Sequence, residues 1–367
     1  MLNACNPTMK IFFVDFYAQL IYNAQIIVKQ FEKYEMLRRF SDQLMHNESS
    51  EKDEKKEIKQ EVIKPNYFEK LPDVILKHNL FELTEPRTTD AEFTKTSKRH
   101  HQLFQSQIDL PRFIHHVAHG EQDQAEAILK KFHDLNDEKA LNLMLTKKMD
   151  VTDIAGKKFK DISAFQYALW ALDRHMWTML KGYIPEDMQT SQLMELEEKG
   201  VNYTKPAFGD KKEEHITSEK HFDFSPLIVA LKDYIDNFDT RNWNQREAAW
   251  CKNVGGAQRN VPAHVADEYC RTDRALYPVP DFKEATLPRG RDFYNYVTSS
   301  NSSWFSDQGL GDNFAIAALG VAGALGAGRE GTRGLDLAAL CKMRTNELEI
   351  FKDRLLKKAS TPVSRCI

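Results

Sequence analysis

ISAFQYALWALDRHMWTMLKGYI, residues 162–184, carries apolar side chains at Ile162, Phe165, Tyr167, Ala168, Leu169, Trp170, Leu172, Met176, Trp177, Met179 and Leu180. An amphipathic surface helix keeps one polar face, and this segment has none, so it reads as a buried central layer. Gly182 and Pro185 end it. Working outward, LPRFIHHVAHGEQDQAEAILKKF (110–132) places Phe113, His116, Val117, Ala125, Ile128, Leu129 and Phe132 at helical spacing around Gly120. That spacing predicts two short antiparallel helices, with Gly120 supplying a left-handed turn. HFDFSPLIVALKDYIDNF (221–238) starts another helix, with Pro226 in the first turn, where its missing N–H is harmless.

The chain of 367 residues is 41% hydrophobic and 29% charged, a soluble globular balance with enough apolar surface for a core without metals or disulfides. Cys5, Cys251, Cys270, Cys341 and Cys366 are scattered and odd in number, which fits a reducing compartment. A net charge of −3 excludes a general nucleic-acid binder. Residues 11–28 are apolar enough to suggest a membrane span, but Asp15, Gln19, Asn23 and Gln25 interrupt them. An amphipathic helix is expected there, with no integral membrane insertion, and the chain is expected to be soluble.

Four segments follow from these shifts. Residues 1–45 form an N-terminal helical segment, and 46–100 a charged linker and irregular region. Residues 101–240 form a helical core, and 241–367 a C-terminal helical region with a Gly-rich loop. The expected fold is all-α (mainly helical), in stacked helix pairs with irregular loops. The polar run 195–221 leaves room for a short β-hairpin insertion.

The helix starts resemble the ankyrin repeat, in which a turn-forming finger precedes two antiparallel helices. Ser163-Ala164-Phe165-Gln166-Tyr167-Ala168 and Ser225-Pro226-Leu227 stand where such repeats open, and Asp153-Ile154-Ala155-Gly156 resembles a finger. Leu172 occupies the place of the turn glycine, and Ser163 and Ser225 are further apart than the consensus period. The strings HHVAHGEQDQAEAILKK, ALWALDRHMW and VGGAQRNVPAHVADEYC also resemble a family of effectors exported by the Dot/Icm type IV secretion system of legionella-type intracellular bacteria. That resemblance covers about residues 103–356. It implies delivery into host-cell cytoplasm, where a host protein is the expected partner, and it implies no reaction.

Chemistry-bearing residues gather in WCKNVGGAQRNVPAHVADEYC (250–270). Cys251 could serve as a thiolate nucleophile with His264 as base and Glu268 as orienting acid, as in a cysteine protease or a transglutaminase-like enzyme. His264 and Glu268 also suit an ordinary i, i+4 pair on one helix. Cys251, His264 and Cys270 lack the paired spacing of a zinc site. His115 and His119 share a helical face with no third ligand in sequence reach, so no metal or other cofactor is expected. Gly320, Gly323, Gly326, Gly328, Gly331 and Gly334 lack the Gly-Lys-Ser/Thr ending of a phosphate loop. The leading reading is a non-catalytic interaction protein. Its candidate contacts are Lys157, Lys158 and Lys160 on the finger and Trp243 and Trp250 in polar surroundings.

Overall fold

Helix ends direct the path of the first half of the chain. The computed structural model describes residues 105–205, 216–274, 280–317, 321–323 and 333–360. It opens with α1 (Gln105–Ala118), α2 (Gln122–Asp134) and α3 (Glu138–Thr146), then β1 (Met149–Thr152) and β2 (Lys158–Ile162), then α4 (Ala164–Trp170) and α5 (Arg174–Lys181). α1, α2 and α4 stop in the same way, on a left-handed residue: Gly120 (φ 70°), Asn136 (φ 52°) and Leu172 (φ 57°). Each end is closed by paired backbone bonds, such as Glu121 N–H to His116 O at 2.8 Å and Gly120 N–H to Val117 O at 3.1 Å. Asp137 and Asp173 come next and cap the following helices, accepting from Ala140 N–H at 3.0 Å and Met176 N–H at 3.1 Å. Leu172 sits in this conformation although a side chain there costs about 1–2 kcal/mol. It is 2% exposed, so its burial offsets the strain.

The two helical hairpins stack, α1 against α4 and α2 against α5. The β1–β2 hairpin lies between them in sequence. Gly156 (φ 82°) turns it, and the Asp153 carboxylate accepts the Lys157 N–H at 2.8 Å. α4 opens with a capping box in which Ser163 and Gln166 satisfy each other's backbone N–H groups. α6 (Glu186–Lys199) packs on α4. β3 (Val201–Thr204) and β4 (Ile216–Glu219) then extend the finger into an antiparallel sheet of order β1-β2-β3-β4. This is the hairpin expected within 195–221, although residues up to Lys199 belong to α6.

α7 (Ser225–Asp236) begins with Pro226 in its first turn. α8 (Trp243–Ala248) runs into a π-helical segment (Ala249–Gly255), a short α9 (Gly256–Gln258) and then α10 (Ala263–Cys270). A second sheet of order β6-β5-β8-β7 follows, from β5 (Asp292–Asn295), β6 (Ser300–Ser303), β7 (Ala315–Ala317) and β8 (Val321–Gly323). Only its β5–β8 pairing is parallel. α11 (Arg333–Ser360) packs on α7, α6 and α5. One buried hydrophobic cluster runs from Leu110 to Leu355 and takes in residues on both sides of position 240. The fold is therefore mainly helical with two small sheets, rather than all-α. Residues 1–45 and 46–100 lie outside the described residues, as do most of the Gly-rich positions. Gly323 ends β8.

Candidate functional site

α10 carries the sequence AHVADEYC, and all eight of its residues are buried. A helix with no exposed face must satisfy its polar side chains internally. His264 does so by donating from Nε2 to the Ala171 carbonyl at 2.8 Å, just before the strained turn at Leu172. Burial pushes its pKa down to about 4, against the pull of Asp173. Asp267 meets Arg291 Nε at 2.8 Å and Arg289 Nη1 at 3.4 Å. Burial raises its carboxyl to about 6 despite both guanidinium groups. Arg289 also holds Asp173 at 2.9 Å. For Asp173, burial alone would raise the pKa, but the Arg289 charge outweighs it and keeps the group below the usual carboxylate range.

Glu268 faces a second set of cations: Arg274 Nη2 at 2.5 Å, Arg271 Nη1 at 3.3 Å and Arg344 Nη2 at 3.6 Å. Its carboxyl is raised by burial, with Arg274 and Arg271 opposing. Arg344 pairs with Glu347 at 2.9 Å, Glu347 meets Arg174 at 3.0 Å, and Arg274 reaches Glu284 at 2.5 Å. These charges tie α10 to α5, α11 and the segment before β5.

Cys251 is in the π-helical segment, 3% exposed, and its thiol donates to the Asn313 carbonyl at 3.4 Å. Burial, with Glu247 adding to it, pushes its pKa up to about 11. Cys270 is pushed up to about 12 by burial and then Asp267. Nucleophilic thiols show the opposite shift. Cys251 and His264 thus engage different carbonyls, and Glu268 turns to arginines.

The contact candidates divide as well. Lys160 and Trp243 are exposed, and Lys160 pairs with Asp150 at 2.5 Å. Lys158 is exposed on β2. Lys157 is not exposed as expected from its polar neighbours: it is 1% exposed, 3.7 Å from Asp153, and donates to the Asn260 carbonyl. Its ammonium also lies over the Trp170 and Phe222 rings. Trp250 is likewise buried, at 4% exposure, with its ring 5.0 Å from Tyr234. Its polar neighbours in sequence lie on the other side of a helix whose apolar face it shares.

α7 and the π-helical segment wall an open groove of about 650 Å³. Arg241 Nη2 meets both Asp233 oxygens at its side, at 2.9 and 2.7 Å, and Lys252 and Asn253 line its rim. π-helical turns recur at functional sites because they widen the backbone and re-aim side chains. The His115 and His119 rings stack at 3.8 Å, and burial lowers His119 to about 4. Among the described residues, no group of His, Cys, Asp and Glu side chains is placed to hold a metal, and no helix is long and apolar enough to cross a membrane.

The family described as the CBUA0006 C-terminal domain matches residues 226–355, which include the groove, α10 and the second sheet. The chain is also 44% identical over 216 residues to the uncharacterized protein CBUA0006 of Coxiella burnetii (strain RSA 493 / Nine Mile phase I), a homologue. That alignment covers 56% of this chain and 61% of the Coxiella protein, so the chain spans less than two thirds of its relative's length. No solved structure matches.

Proposed function

We propose that the chain is a bacterial effector delivered into the host cell by a Dot/Icm system, where it acts as a protein-binding module built on ankyrin-like stacked helix pairs. The observation that carries the binding half is the stacking of α1 on α4 and α2 on α5, with a finger hairpin between the pairs. First helix on first helix and second on second is the arrangement of an ankyrin stack, whose exposed finger edge and adjoining helices suit another protein. Lys158 and Lys160, exposed on β2 of the finger, are the contacts this reading favours. The thiol and imidazole of Cys251 and His264 are bonded into the core, which supports binding over catalysis.

Delivery is supported by the effector-like strings of the sequence and by the homologue in Coxiella, an organism that carries a Dot/Icm system. A translocation reporter fused to the chain tests it. Signal should appear in host cytoplasm with a secretion-competent strain and vanish with an isogenic strain lacking the system. Equal signal from both strains would refute delivery. Recovery of the delivered protein only as a free monomer would refute the binding role.

A further inference from the structure

Strand edges either block or invite another strand. Three of the four edges in the described sheets are guarded. β1 carries a register shift between Met149 and Val151 and the Asp150–Lys160 ion pair. β4 carries Glu219, which accepts from the Tyr203 hydroxyl at 2.9 Å, and β7 is buried throughout. β6 has no charge and no proline, and it pairs with β5 in unbroken register.

The ladder fixes which backbone groups point outward. Trp304 N–H donates to the Arg291 carbonyl at 3.0 Å, one step beyond the Asp292–Ser303 pair. Antiparallel alternation then turns the groups of Ser300 and Ser302 toward β5 and those of Asn301 and Ser303 away from it. The Ser303 carbonyl is taken by the turn at Ser306 and Asp307. The N–H and C=O of Asn301 and the N–H of Ser303 face away from β5, where no strand among the described residues pairs with them.

The side chains beside this edge are unusual. Tyr294 lies opposite Asn301, on the same sheet face. Tyr294 is 40% exposed, Tyr296 66% and Val297 50%, with the two tyrosine rings edge-on at 5.0 Å. From Phe293 through Ser306 there is no Asp, Glu, Lys or Arg, in a chain that is 29% charged; Asp292, opposite Ser303, is the one charge of the two strands. Tyrosine offers rigid contact area at low entropic cost, and Ser and Asn offer adaptable hydrogen bonds, the composition of antibody binding loops. Without Lys or Arg the hairpin lacks the cations that carry most of the affinity for phosphate groups, whether of nucleic acid or of anionic lipid.

We propose that the β6 edge is a strand-addition dock for an extended, uncharged segment of a partner protein. Its backbone would pair with Asn301 and Ser303, and alternate side chains would lie against Tyr294 and Tyr296. The dock deepens the interaction-protein reading and rests on it.

The test is selection of phage-displayed random peptides on the immobilised full chain, followed by anisotropy titration of the winners. Uncharged peptides with alternating β-branched or aromatic residues should enrich, with binding insensitive to salt. Tyr294→Ala with Tyr296→Ala should weaken binding by about tenfold or more, as for central aromatic contacts. This double variant changes exposed side chains, so its melting temperature should match wild type. Asn301→Pro, which removes an outward N–H, should abolish binding. No enrichment, or winners that bind the tyrosine variant equally well, overturns the dock. A wild-type dimer that Asn301→Pro converts to monomer means a second copy takes the edge, and tyrosine-dependent binding to phosphatidylcholine vesicles means a lipid surface does; either overturns the proposal. A host complex that survives the tyrosine variant would refute this edge alone and leave the interaction reading standing.

Discussion

Glu268→Gln separates a carboxylate that holds the fold from one that does chemistry. The substitution keeps shape and removes charge beside Arg274, Arg271 and Arg344. Arg344 is 0% exposed, so water cannot compensate it. Removing one partner from a buried ion cluster costs about 3–5 kcal/mol, because a charge is left without its counter-ion. Here Arg274 keeps Glu284, Arg271 keeps Asp273 and Arg344 keeps Glu347, which favours the lower end, about 3 kcal/mol. Urea unfolding at neutral pH, followed by circular dichroism, should show the midpoint falling at unchanged slope. Arg344→Met in the same chain should recover part of the loss, with a coupling of about 1 kcal/mol or more. Catalytic carboxylates behave differently, since their removal commonly leaves stability unchanged or raises it. An unchanged midpoint for Glu268→Gln would refute the structural role.

Gly120→Ala should destabilise by about 2–4 kcal/mol, because the new Cβ would stand 2.5 Å from Ala263 Cβ at a left-handed φ; a melting temperature within a degree of wild type would contradict the tight α1–α10 approach. His264 has its folded pKa depressed to about 4 from 6.5, so its contribution is present above pH 6.5 and lost as pH falls toward 4. His264→Gln should therefore flatten the stability-versus-pH curve in that window by roughly 2–3 kcal/mol, and parallel wild-type and variant curves would show that His264 titrates normally. Lys158→Glu with Lys160→Glu should leave stability within about 1 kcal/mol. It should also weaken capture of a host partner and change its salt dependence; an unaltered capture would move the contact surface off the finger.

Much of the first half was legible in the sequence because its signals are local. Gly120 announced its turn, Pro226 its helix start, and the apolar run through α4 its burial, whereas α5 keeps a polar side at Arg174, Thr178 and Lys181. Leu172 shows the limit: as leucine it hid a turn that the neighbouring pattern required, and tertiary burial overrode its propensity. The second sheet was not legible, because β6 and β7 are short and serine- or alanine-rich, and β5 pairs with β8 rather than only with its neighbour in sequence. Lys157 and Trp250 were misread for one reason. Polar neighbours in sequence suggested exposure, but exposure depends on what distant segments cover, here Asn260 and Tyr234. The arginine network was missed because its members come from 174, 271, 274, 289, 291 and 344, and pairing across such distances leaves no spacing signal. The one hint lay in AHVADEYC, where His264, Asp267 and Glu268 fall at i, i+3 and i+4 and so gather on one side of a short helix.

Cys251, His264 and Glu268, catalytic in appearance, are bonded into the core and serve the fold, and recognition is proposed for the surface. Competitive alkylation of the native chain with iodoacetamide across a pH series, read by mass spectrometry at each cysteine, tests their role in the fold most directly. Cys251 should react slowly, at a rate comparable to Cys270, with an apparent pKa near 11. Selective, fast reaction of Cys251 with an apparent pKa below about 8.5, the ordinary thiol value, would mean an activated nucleophile and contradict the account.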